Sequence, residues 1–358
     1  MKPRTMRERM LAVIRGEELD RVPFVQYDRI AAPNEDVWDL IGRENMGVLR
    51  WCRAHRYEHP NCSFTTDQLR EDGREGYRQV LSTPNGTLTQ EKWYEPTYHT
   101  AATKHHFVKK PEDYRILEAY LDDVQVVEDT TDLERAIRDM GDDGLPLTRV
   151  ERTPYQQLWV QWVSLQDLCI HLIDIPEVMD RITRKIADIQ RRTYEVVYRV
   201  SGRIELPYVD IPDNITAPTI GEGYFREYCL PLYQELSSMM ADRSVPVIAH
   251  TDGDLKPLWA AIGESGIRGL DSFSPPPDND TRVAEAVQMW PEMRVYVNFP
   301  SSVHVGTDKE VYNTASEILE EGGHTGRIWF QISENVPPGV YRTSFPQIVR
   351  AIHDFGTP

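Results

Sequence analysis

Val245-Pro-Val-Ile-Ala-His-Thr-Asp-Gly-Asp254 is a short apolar run closed by two metal-capable side chains, His250 and Asp252. Val245, Val247 and Ile248 are β-branched and Ala249 is small, which suits a strand buried on both faces. Pro246 is tolerated because it lies at the strand's start. Gly253 and Asp254 then supply a turn and a helix N-cap. His250 and Asp252 are two residues apart, so continued strand geometry points them the same way, toward the mouth on which parallel barrel strands converge.

Outward from this stretch, apolar runs alternate with helical periodicity. Strands are predicted at 22–27, 145–150, 203–210, 245–249, 267–272, 293–299 and 326–332, with an eighth placed weakly near 57–65. Helices are predicted at 4–16, 35–42, 46–55, 111–121, 131–140, 154–172, 176–199, 222–241, 255–264, 280–289, 308–321 and 343–354. No G-x-G-x-x-G follows the first strand, so a (β/α)8 TIM barrel with an N-terminal helical extension is favoured over an open doubly wound sheet. Between 60 and 110, Gly73, Gly76, Pro84-Asn-Gly86 and alternating polar and apolar residues predict an inserted β-hairpin region that could cover the mouth. No Ser/Gly-rich linker divides the chain, so residues 1–358 are read as a single domain.

Composition narrows the function. Forty Lys and Arg against 57 Asp and Glu leave a formal charge of −17, which opposes nonspecific attraction to nucleic acid or to an anionic membrane. No apolar run is long enough to span a membrane and the N-terminus lacks a secretory signal's apolar segment, so a cytoplasmic protein acting on a small molecule is expected. Cys52, Cys62, Cys169 and Cys229 form no C-x-x-C pair and are read as buried thiols in a reducing compartment.

Candidate site residues are those at strand exits. Tyr27, Asp28 and Arg29 leave the first strand, and Asp210 and Asp213 leave the fourth. The latter two are either an acid/base pair or, through Asp213-Asn214, part of a turn. Asn298 is placed to hydrogen-bond substrate. Tyr27, Trp93, Tyr94, Tyr98 and Phe299 are expected either to line an apolar pocket or to pack in separate places. His304 lies in a loop within reach of the mouth. His105 and His106 are adjacent, so on a strand they point apart and do not share a metal. The plain alternative for the focal stretch is a core histidine followed by Asp252 or Asp254 as a helix cap.

Several segments together resemble the uroporphyrinogen decarboxylase superfamily: Arg7-Glu-Arg-Met-Leu-Ala-Val-Ile-Arg-Gly-Glu-Glu-Leu-Asp-Arg-Val-Pro23, Thr83-Pro-Asn-Gly-Thr-Leu-Thr89, Lys110-Pro-Glu-Asp-Tyr114, His250-Thr-Asp-Gly-Asp254, Leu270-Asp-Ser-Phe-Ser-Pro275 and Gly306-Thr-Asp-Lys-Glu-Val311. The resemblance implies a (β/α)8 barrel and two functional branches. True decarboxylases of the family carry an Arg-Gln-Ala-Gly-Arg-type segment after the first strand, whereas this chain has Gln26-Tyr-Asp-Arg-Ile-Ala-Ala-Pro33 with the single Arg29. Cobalamin-linked methyltransferases of the family hold zinc with a His, a Cys two residues later and a distant Cys. By that resemblance His250 matches the histidine, Asp252 stands at the first cysteine and Glu334 stands near the second.

An N/O/O set accepts zinc but also suits manganese or ferrous iron. The corrinoid-domain pattern Asp-x-His-x-x-Gly is missing, so a corrinoid is expected only on a partner protein. The leading expectation is therefore a metal-assisted, corrinoid-linked methyltransferase that demethylates a small substrate. The alternatives are a cofactor-free decarboxylase of uroporphyrinogen or another carboxylate using Asp28, Arg29 and Asp213, and a noncatalytic binding subunit.

Overall fold

The computed structural model describes residues 4–97 and 100–358. Its chain groups into two compact units. The first comprises residues 1–54, 130–150 and 198–358, and the second comprises 55–129 and 151–197. The first unit contains a closed barrel of eight parallel strands in chain order: β1 (Phe24–Tyr27), β2 (Gly47–Cys52), β3 (Gly144–Arg149), β4 (Val209–Ile211), β5 (Val247–His250), β6 (Gly269–Phe273), β7 (Arg294–Asn298) and β8 (Ile328–Ile332), with β8 paired back to β1. Helices such as Asn34–Ile41, Thr131–Met140, Leu230–Ala241 and Asp308–Gly322 lie between successive strands. The structure is thus the expected (β/α)8 TIM barrel.

Two expectations about strands are corrected. The eighth barrel strand is β2, within the stretch 46–55 whose spacing of Met46, Leu49 and Cys52 suggests a helix. Residues 57–65 instead belong to short antiparallel strands of the second unit. The strand period in β2 is carried by Leu49, a core residue, and Trp51, which is half exposed, so hydrophobicity alone conceals it. The strand predicted at 203–210 is reduced to β4.

The barrel's inward side chains form two layers. Val25, Leu49, Leu145, Leu147, Tyr208, Ile248, Tyr296 and Trp329 make the lower, mostly apolar one. Two residues further along most of these strands come Tyr27, Trp51, Arg149, Asp210, His250 and Gln331, with Asp271 from β6 among them. The change of chemistry therefore occurs at one level, the carboxyl end of the barrel.

The opposite end is closed by α1 (Met6–Arg15), whose Met6, Met10, Val13 and Ile14 join the lower layer's cluster. A reciprocal Thr5–Glu8 capping box begins this helix and left-handed Gly16 ends it. Gly47 is needed where α1 crosses β2: a β-carbon there would lie 2.5 Å from Met6 Cγ. A cavity of about 1160 Å³ beside this closed end is lined by groups such as Ile14, Pro207, Arg243 and Arg268, with Ile248 and Tyr296 of the lower layer.

In the second unit the predicted hairpin region is a four-stranded antiparallel meander, Ser63–Glu71, Arg74–Thr83, Gly86–Glu95 and Thr100–His105. It has two more strands than one hairpin. Tyr98 and His99 lie outside the described residues. Cys52, Cys62 and Cys229 are buried free thiols, as expected, but Cys169 is exposed.

Candidate functional site

β5 ends in His250, whose imidazole is fixed from behind. Nδ1 lies 3.1 Å from Asp271 Oδ2 and 3.2 Å from Tyr27 Oη, and the Tyr27 hydroxyl itself donates to Asp271 Oδ2. Gln331 Nε2 donates to the other Asp271 oxygen at 2.9 Å, while Trp329 Nε1 donates to Gln331 Oε1. Asp271 thus accepts from three side chains at zero exposure. Burial alone would raise its pKa, but these donors hold the carboxyl below its ordinary value.

With Nδ1 occupied, Nε2 is left facing the mouth. It lies 3.8 Å from Asp252 Oδ2 and 3.6 Å from Glu334 Oε1. The ligand atoms of His250, Asp252 and Glu334 all lie within 4.8 Å of one another. Ligands at about 2.1 Å from a tetrahedral ion stand roughly 3.4 Å apart, so small side-chain shifts would let these three hold one divalent cation. Burial lowers the His250 pKa, but the facing carboxylates of Asp252, Asp271 and Glu334 outweigh it and hold the imidazole protonated well above its ordinary range.

Glu334 is positioned by β6 and β8 together. Between Leu270 and Phe273 the register of β6 against β7 shifts, and Ser272 takes the left-handed φ of 58°. The bulge aims Ser272 Oγ at Glu334 Oε1, 2.9 Å away, and at Ser333 Oγ, 2.6 Å away. Asn298 completes the support by accepting from the Ser333 amide at 3.0 Å and donating to Ser274 Oγ at 3.1 Å.

Across the mouth, Arg149 Nε donates to Asp210 Oδ2 at 3.0 Å, and Asp210 Oδ1 is buried without a hydrogen-bond partner among the described residues. Burial dominates at Asp210, with Asp271 adding to it and Arg149 opposing, and its pKa is pushed up to about 7. The Arg149 guanidinium stacks on Trp51, 3.9 Å from the ring centroid, and Trp51 meets Tyr27 edge to face at 5.0 Å.

The structure thus brings together Tyr27, Asp210, His250, Asp252 and Glu334, with Asn298 behind them. It does not bring in the others. Asp28 is engaged by Arg50 at 2.8 Å and Asn34 at 2.7 Å, and Arg29 is largely exposed beside it. Asp213 accepts from Tyr233 on helix Leu230–Ala241 at 2.9 Å. Phe299 packs on His304 and Phe330. His304 hydrogen-bonds Ser344, and burial pushes its pKa down to about 4.

The four described rings expected to line one pocket sit in separate clusters: Tyr27 on Trp51, Trp93 under Arg74 and Lys104, Tyr94 on Tyr77, and Phe299 on Phe330. Tyr98 lies outside the described residues. Neither Asp252 nor Asp254 caps the following helix: Asp280 accepts from the Leu255 and Lys256 amides.

Sequence reasoning missed Asp271, Gln331, Ser272, Arg149 and Trp51. An acid inside Gly269-Leu-Asp-Ser-Phe273 was the available signal for Asp271, because a charge within a short buried strand requires partners. The signal for Arg149 was its place two residues beyond Leu147.

Comparisons with known proteins agree with the architecture. A methyltransferase from Methanosarcina mazei superposes over 99% of this chain and 99% of its own, with a TM-score of 0.58 at 14% identity. A B12-independent methionine synthase from Shewanella sp. W3-18-1 covers 77% of this chain and 73% of its own, with a TM-score of 0.45 at 9% identity. No curated protein sequence gives a significant match. At 14% identity the likeness to the Methanosarcina protein speaks for the barrel alone. The sequence itself matches the uroporphyrinogen decarboxylase (URO-D) family over residues 167–355, more than half of the chain and the part that contributes β4 to β8; the protein belongs to that family.

Proposed function

We propose that this protein is a methyltransferase-like enzyme that takes a small methylated substrate at the barrel mouth, holds a divalent cation with His250, Asp252 and Glu334, and passes the methyl group to a corrinoid carried by a partner protein. The observation that carries this reading is the convergence of those three side chains, with Asp271 buried behind the histidine. A carboxylate on the far nitrogen of a metal-binding histidine fixes its tautomer and raises its basicity. The neighbour of similar fold described as a methyltransferase is consistent with it.

A cation in this set would supply Lewis acidity to a substrate oxygen or other donor atom. Asp271 keeps the Nδ1 proton of His250 and leaves the Nε2 lone pair for the cation. Ser272, itself hydrogen-bonded to Ser333, holds Glu334 at the rim. Asp210, with a pKa near neutrality and a free oxygen, is suited to giving or taking the proton that accompanies release of the demethylated product. The decarboxylase reading has less support, because Asp28 and Asp213 are committed to neighbours and Arg29 points to solvent.

The test is metal content of untagged protein purified without chelator, by elemental mass spectrometry. Near-stoichiometric metal is expected, lost in His250→Ala and Glu334→Ala. Asp271→Asn should keep the ligand set and weaken metal affinity by roughly 10–100-fold. Protein that carries no metal and takes up neither zinc, manganese nor ferrous iron would sink the site. Methyl transfer is then followed as methylcobalamin formed from free cob(I)alamin with methyl ethers, methylamines and thioethers. Because uptake must displace the His250 proton, affinity should rise with pH.

A further inference from the structure

Arg149 is fixed at one end and open at the other. Its Nε donates to Asp210, its guanidinium carbon lies over the Trp51 ring at 3.9 Å from the centroid, and the Tyr27 ring is 5.8 Å away. The side chain is only 16% exposed. Its two terminal nitrogens nevertheless make no hydrogen bond among the described residues, and neither is sealed from solvent. A guanidinium held by Nε and stacked on an indole presents a preorganised pair of parallel N–H donors, which a planar carboxylate matches in geometry and charge. Trp51, 52% exposed, walls the approach to that fork.

The charges around the mouth favour this end for an anion. Asp252, Glu334 and Asp271 face His250, whereas Arg149 has Asp210 as its ion-pair partner and lies 5.8 Å from the Tyr27 ring centroid. Without a bound cation, an anionic group placed near the metal-capable carboxylates would be repelled. Arg149 is also the one arginine among the described residues of the polar layer, and the arginine expected from sequence, Arg29, is turned outward.

We propose that the substrate carries a carboxylate, gripped end-on by the two terminal nitrogens of Arg149 beside Trp51, with its methylated end directed past Tyr27 toward His250, Asp252 and Glu334. The orientation of the methylated end rests on the methyl-transfer reading; the carboxylate subsite does not. Arg149 is then the specificity-determining residue, selecting acids over neutral analogues of the same shape.

The experiment is equilibrium binding by titration calorimetry and ligand-observed NMR, using methoxyacetate, N,N-dimethylglycine and 4-methoxybenzoate, each beside its primary amide. At least one acid should bind, and bind about tenfold or more tightly than its amide. Arg149→Gln should abolish the preference, and Arg149→Lys should restore only part of it because an ammonium lacks the fork. Thermal melts confirm folding of both variants, and elemental analysis should find their metal content unchanged. Equal binding of acids and amides, a preference that survives in folded Arg149→Gln, or no binding by any of the three acids overturns the proposal. Loss of preference in Arg149→Gln by a protein that holds no metal would uphold the subsite while removing the metal reading.

Discussion

Asp210 shows how much one buried carboxyl can make pH matter. In the unfolded chain it titrates near 3.8, whereas burial in the barrel pushes it up to about 7. The folded state therefore binds this proton more tightly than the unfolded state, and the group's contribution to stability is lost as pH rises from about 4 to about 7. Asp210→Asn, which cannot ionise, removes that component. Subtracting urea-unfolding profiles of the variant from those of the original protein should give a difference that falls across this window and is flat above it. A flat difference throughout would mean that Arg149 keeps Asp210 ionised at all these pH values. None of this was legible in the sequence. Asp210 was recognised as a strand-exit acid, but its partner Arg149 lies 61 residues away and only barrel closure brings the two together. His250 and Asp252 were legible because strand-exit residues two positions apart share a direction; Glu334 came from family resemblance, since its 84-residue separation from His250 carries no local signal.

The elements divide in the same way. α1 was readable to within two residues at its start and one at its end, because apolar periodicity and a terminating Gly16 are local signals. β2 was not, because it passes from Leu49 in the core to Trp51 in the mouth and looks uniformly apolar at neither. The cap on α1 also has a consequence for the barrel, since this helix carries Met6, Met10 and Val13 into the lower layer. Thr5→Ala removes the acceptor for the Glu8 amide and should cost about 1 kcal/mol in urea unfolding. Thr5→Ser, which keeps the acceptor, should cost only a fraction of that. Equal losses would assign the effect to the threonine methyl rather than to the cap. β6 illustrates the opposite limit: its bulge at Ser272, which aims a hydroxyl at Glu334, left no trace beyond an ordinary serine in an apolar run.

At the scale of the molecule, the barrel was legible from strand and helix alternation, but the division into two units was not. The second unit is assembled from residues 55–129 and 151–197, whose helices read like ordinary barrel crossovers and whose strands read like one excursion. The division also shapes what a cation should do to stability. A ligand that binds only the folded barrel at one hundred times its Kd stabilises it by about 2.7 kcal/mol. For a unit of roughly 200–250 residues, that corresponds to an upward shift of roughly 5–10 °C in its melting transition. At −17, however, the chain gains stability from any added salt that screens self-repulsion. Calorimetric scans should therefore compare zinc or manganese at micromolar excess with sodium chloride at matched ionic strength. The site predicts a saturable shift with the transition metal, absent in His250→Ala, beside a salt response common to both proteins. A metal-induced shift that persists in His250→Ala would place the cation among surface acids, because removing the imidazole leaves the charge of Asp252 and Glu334 in place but takes away the nitrogen donor that distinguishes the mouth from the rest of an acidic surface.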